Sequence, residues 1–146
     1  MNAIEIMNQI KEIAKNNHRR HKSQKTRFIT KEKLAVGECF RQGDLYIFRV
    51  GLDHSIGEEI KRNQLADGVS VGARHILNGK FKVYHGVKKP DCLNDIHARV
   101  SVGYAFDSEE TTVLGHPEHD NYVFKFPGRF QVVHQLDLRT LQRARD

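Results

Sequence analysis

A chain of 146 residues with 38% hydrophobic residues, 29% charged residues and no Trp can build one modest core under a well-solvated surface. No apolar run approaches the roughly 18–20 residues of a membrane-spanning helix, and no apolar leader with a small-residue cleavage site opens the chain. The net charge of +6 is unevenly placed: residues 1–36 hold nine Lys/Arg and three Asp/Glu, whereas the remaining fifteen of each sign cancel over residues 37–146.

That charge split divides the chain into an N-terminal helix and basic arm (1–36) and a β-rich body (37–146). Residues 2–16 predict an amphipathic helix, because Ala3, Ile6, Met7, Ile10, Ile13 and Ala14 form one stripe at helical spacing. Asn2 can cap it, with Glu5 at the third helical position. The stripe must be covered by the body, by a second copy or by a partner, so a homo-oligomer through this helix stays open.

The next segment, residues 16–27, has no apolar residue. Between His18 and Arg27 it carries five Lys/Arg and two His. Lys11, Lys15, Arg19, Arg20, Lys22, Lys25 and Arg27 are candidate phosphate contacts, which position a protein on nucleic acid without reading its sequence. A solvated linker is the competing reading.

Beyond Phe28-Ile29 and a charged turn, Leu45–Val50 is rich in β-formers and bounded by Gly43-Asp44 and Gly51, a strand. Residues 53–68 suggest a short helix or an irregular excursion. Asn78-Gly79 between residues 74–77 and 80–84 predicts a two-residue hairpin with Ile76, Phe81 and Val83 facing the core and His75 and Leu77 facing away. Residues 98–106 alternate as a strand, Asp107–Glu110 reads as an acidic turn, and a strand resumes at Thr111. Val113–Gln135 predicts two strands joined as a hairpin at Pro127-Gly128. Leu138–Asp146 suggests a short terminal helix. The whole is α+β and mostly β: a small antiparallel β-barrel or sandwich behind an N-terminal amphipathic helix.

Cys39 and Cys92 form neither a CxxC pair nor a disulfide framework, which predicts packing residues in a reduced, cytoplasmic setting. The chain has no GxSxG, P-loop or GxGxxG signature, and Glu58/Glu59 and Glu109/Glu110 read as solvated charges.

Gln42-Gly43-Asp44-Leu45, Gly72-Ala73-Arg74-His75, His116-Pro117-Glu118-His119 and Pro127–Gln135, in this order, resemble a group of small uncharacterised bacterial and phage proteins. The landmarks of that group look like QGDV, GHxH, HxEH and PxGxYxVxxQ, and the resemblance spans about residues 41–146. Here only the second histidine of GHxH remains. If the histidines of the group bind a metal, the resemblance implies a site at His75, His116 and His119. Three such ligands with an open position suit zinc or another divalent ion, with Glu118 as a base or fourth ligand. Pro117 excludes the helical HExxH arrangement. The competing reading makes these histidines exposed turn residues, with His134 hydrogen-bonded among core aromatics.

The leading expectation is a non-catalytic binding protein, such as a phage-type accessory or inhibitor protein. It would engage nucleic acid or a nucleoprotein complex through the basic arm and need no resident cofactor. A metal-dependent enzyme or metal-binding module on the histidines and an oligomeric interaction subunit are the alternatives.

Overall fold

The computed structural model describes residues 3–8, 25–66, 75–93, 100–137 and 142–143. In chain order the strands are β1 (Thr26–Ile29), β2 (Cys39–Gln42), β3 (Leu45–Val50), β4 (Ile56–Ile60), β5 (Ile76–Gly86), β6 (Val100–Gly115), β7 (Asn121–Phe124), β8 (Gly128–Asp137) and β9 (Gln142–Arg143). A 3-10 turn spans Asp91–Leu93. The protein is mostly β, a curled half-barrel sheet that is largely antiparallel, with a short helix over residues 3–8.

The sixteen residues of β6 are the axis of this sheet. One edge of β6 pairs with β5, from Tyr84↔Ala105 to Ile76↔Gly115. The other edge is shared: β8 pairs with Val100–Ser108, and β7 with Thr112–Leu114. From the shared edge the sheet continues through β8 to β3 and β2 and, further along β6, through β7 to β1, while β4 lies beyond β5 on the other edge. Only the β1–β7 pair among these is parallel.

Three expected turns give way to this arrangement. Asn78-Gly79 lies inside β5 and makes no hairpin, and the acidic stretch Asp107–Glu110 lies inside β6. The two signals are opposite halves of one irregularity. Gly79 faces Thr112 and the next paired position, Phe81, faces Ser108, so β6 carries extra residues across this step. Gly79 takes φ +104°, a conformation that favours glycine, and a side chain there would run into the Thr111 carbonyl. The bulged Glu109 and Glu110 are exposed and meet Lys82 and Lys80 at 3.5 and 3.2 Å.

The third expected turn, the hairpin at Pro127-Gly128, also does not form. β7 and β8 do not pair with each other, because each takes a different part of β6. Residues 56–60, expected as helix or excursion, are strand β4 against β5. Gln142–Arg143 pairs with β8 where a terminal helix was expected. The strand at Leu45–Val50 forms as expected, turning at Gly43-Asp44, where Gly43 has φ +58°.

Because β5 runs straight through, Leu77, Phe81 and Val83 share one face, and Leu77 is buried with Val83 rather than turned away. They join Leu45, Ile47, Phe106, Leu114, Phe124, Phe130 and Val132 in the main core. Phe130 anchors it, with ring centroids 5.0 Å from Phe106 and 4.8 Å from Phe124. The opposite side chains of the same strands, Val113 and Val123, are covered by Ile6 of the helix, with Met7 packed beside it. The helical stripe therefore docks on the protein's own sheet at Ile6, the first of its three options; residues 9–16 lie outside the described residues. Cys39 and Cys92, expected as packing residues, are free and exposed.

Replacing Gly79 by Ala forces a side chain into a left-handed backbone position against a carbonyl. It should lower unfolding stability by about 1–3 kcal/mol. Urea denaturation checks this, with the midpoint falling at unchanged slope.

Candidate functional site

The β2–β3 turn, the entry to β5 and the loop from β6 to β7 meet at one end of the sheet. They bring together residues far apart in sequence. The ring of His116 lies 4.4 Å from those of both His75 and His119, at interplanar angles of 50° and 47°. The three histidines named from the sequence thus converge. His75 and His116 are buried, and His119 and Glu118 are half-buried. The reading of these residues as exposed turn residues is corrected for His75 and His116.

Gln42 organises the cluster. It is buried, and its side-chain nitrogen donates to the carbonyls of Leu114 (3.2 Å) and Asp120 (2.8 Å). Those two bonds commit the amide nitrogen and leave Oε1 facing His75 Nδ1 at 2.8 Å. Since Oε1 only accepts, Nδ1 carries a proton. The other nitrogen, Nε2, faces Asp44 Oδ1 at 3.2 Å. A neutral imidazole with its proton on Nδ1 would set two lone pairs against each other there. A cation between them, either a proton or a metal ion, resolves the conflict.

His116 is held differently. Its Nδ1 accepts the backbone N–H of Glu118 at 2.9 Å, so this nitrogen bears a lone pair. The backbone N–H of His116 donates to Asn121 Oδ1 at 3.4 Å. Among the described residues, no group of three or more His, Cys, Asp or Glu side chains is arranged to hold a metal ion as it stands.

The loop is tied to the strand that follows the basic arm. Asp120 accepts Arg27 Nε at 2.6 Å and the Lys25 backbone N–H at 2.9 Å, and Asn121 N–H donates to the Lys25 carbonyl at 2.8 Å. Burial alone would push the Asp120 carboxyl up. The Arg27 bond, the Lys25 N–H and both positive charges outweigh it and hold the carboxyl below its usual range. Arg27 is raised, first by its hydrogen bond to Asp120 and then by its charge. Of the candidate phosphate contacts, Lys25, just before β1, and Arg27 within it are exposed; Lys11, Lys15, Arg19, Arg20 and Lys22 lie outside the described residues.

His134 is not part of the cluster's ring contacts. It is buried on β8 and lines a separate polar cleft with His85, Ser101 and Tyr104. A second buried glutamine–histidine pair, Gln131 with His54 at 3.2 Å, braces the opposite end of the sheet. There Arg129 grips Asp107 through two bonds of 2.8 and 3.0 Å and the carbonyls of Leu52 and His54.

Reasoning from the sequence missed Gln42, Asp44 and Asp120 as parts of the site. Gln42 and Asp44 stood in the Gln-Gly-Asp landmark, where a tight turn was explanation enough. Comparison with protein-family models, curated proteins and solved structures finds no match to this chain.

Truncating Gln42 to Leu leaves the Nδ1–H of His75 and two carbonyls without their partner. It should destabilise the protein by about 2–4 kcal/mol, the cost of several buried unpaired polar groups. Thermal and urea unfolding measure this. Stability equal to the parent would show that Gln42 does not hold the cluster.

Proposed function

We propose that the protein is a metal-binding module whose site is built on His75 and Asp44, completed by His116 and His119. The observation that carries this reading is the pair of His75 Nε2 and Asp44 Oδ1, 3.2 Å apart with Nδ1 committed to Gln42. That separation matches the edge of a tetrahedral site, about 3.3 Å for ligand bonds of about 2.0–2.1 Å. A ligating imidazole whose far N–H is fixed by a hydrogen-bond acceptor is how proteins orient metal-bound histidine.

His116 supports the reading through its lone pair at Nδ1. To ligate, it must exchange the Glu118 N–H for the metal, which requires the loop 115–120 to shift. The His119 ring, against that of His116, belongs to the same loop. Mixed nitrogen and oxygen donors favour zinc or another first-row divalent ion over Mg²⁺ or Ca²⁺, which take all-oxygen shells. Glu118 is the carboxylate in the loop that would serve as a base if the bound ion activates water; the proposal is for binding.

Incubated with zinc and desalted, the chain should retain one equivalent by elemental analysis and melt higher than the chelator-treated protein. Asp44→Ala and His116→Ala should each weaken zinc at least tenfold. A parent protein that retains no metal and melts identically with and without chelator would falsify the site.

A second reading concerns the arm, and the charge split favours it. The whole net charge of +6 lies in residues 1–36. Lys25 and Arg27 are exposed where that segment joins the sheet, and Lys125 stands 5.0 Å over the ring of the partly exposed Phe28. This end of the molecule suits a nucleic-acid backbone, as a binding protein that engages nucleic acid or a nucleoprotein complex would need. Affinity for a DNA or RNA duplex should fall steeply with salt, and replacing Arg19 and Arg20 by Ala should flatten the log–log slope by roughly 0.9 per lost contact. Titrations at several salt concentrations measure the slope; salt-independent affinity would dismiss this reading.

A further inference from the structure

The arm strand and the histidine cluster are joined by an unbroken series of short bonds. Arg27 Nε reaches Asp120 Oδ2 at 2.6 Å, the Asp120 carbonyl accepts from Gln42 at 2.8 Å, and Gln42 Oε1 meets His75 Nδ1 at 2.8 Å. Asp120 also closes the loop that carries His116, Glu118 and His119, so one residue anchors both sides of the cluster. We propose that nucleic-acid phosphates binding beside Lys25 take Arg27 from Asp120, release this loop, and thereby tighten metal binding at the histidine site. The inference rests on the metal-site reading and on the arm reading together.

The exchange is physically easy. The Arg27 side chain is 55% exposed and that of Asp120 24%. An ion pair this exposed is weak, and a phosphate offers the guanidinium the same geometry as a carboxylate with more charge. Lys25, exposed two residues before, adds a second cation to whatever approaches. The direction of the effect follows from His116. Its Nδ1 is occupied by the Glu118 N–H, so metal binding requires the loop 115–120 to move. Arg27 and the Lys25 N–H, held on Asp120, oppose that movement. By linkage, metal binding must in turn raise affinity for the phosphates by the same factor.

The test uses the full chain with Co²⁺, whose visible absorption reports coordination, and a short DNA duplex. Arg27→Gln removes the tie to Asp120 without touching the histidines. It should bind Co²⁺ about fivefold more tightly than the parent, within the usual range of coupling between sites. Duplex affinity of the parent should rise by a similar factor when Co²⁺ is bound, and that of Arg27→Gln should not. In metal-free protein, the imidazole ¹⁵N resonances of His75 and His116 should move on adding duplex to the parent and stay fixed in Arg27→Gln.

Equal Co²⁺ affinity in the two proteins overturns the coupling and leaves the metal site standing. Absence of Co²⁺ binding in both removes the site and this inference with it. Unmoved imidazole resonances with duplex bound overturn the relay independently of any metal.

Discussion

The sheet depends on one constraint: β6 has to serve two different partners along the same edge. Up to Ser108 it pairs with β8, and from Thr112 it pairs with β7. A regular strand could not change partners and follow the curl together. The extra residues around Glu109–Thr111 provide both, since a bulge bends its strand and increases local twist. Gly79 on β5 is the matching concession across the pair. Once the bend is made, Phe106 and Leu114 return to the same inner face on either side of it, and the core is continuous.

This explains which parts of the fold could be read from the residues. Local patterns that answer to a single neighbour were legible: the Leu45–Val50 alternation, the Gly43-Asp44 turn, the helical stripe through Ile6. The failures share a cause. Asn78-Gly79, Asp107–Glu110 and Pro127-Gly128 carry turn chemistry, and turn chemistry also suits a bulge or a crossing between strands that never pair. Deciding between the two needs the partner strand, which the local sequence does not contain. Parity shows the consequence: Leu77 and Val83 fall on one face only if the chain continues through Gly79.

The histidine site was half legible. His75, His116 and His119 were identifiable as metal-ligand residue types, and they do meet. What sets their chemistry is a glutamine, and nothing in a sequence marks a glutamine whose amide nitrogen will be consumed by two distant carbonyls. Leu114 and Asp120 contribute only backbone oxygens to it, which any residue could supply. Asp120 was hidden for a related reason: its carboxylate answers Arg27, nearly the whole body away along the chain. The contrast with the far end of the sheet is instructive. There Arg129 and Asp107 face each other across adjacent strands, and the bidentate pair with its two carbonyl partners commits four of the five guanidinium N–H donors.

The parallel β1–β7 pair has a consequence for how the molecule assembles. Lys25 and Asp120 are separated by 95 positions, and β1 has no partner among the described strands except β7. Pairings of such high contact order form slowly, because the chain must close a long loop before any bond repays it. Val113 and Val123 pair locally across β6 and β7, but Ile6 has to reach them from the other end of the chain. Strand β1 is therefore expected to join the sheet after pairs of shorter reach such as β2–β3.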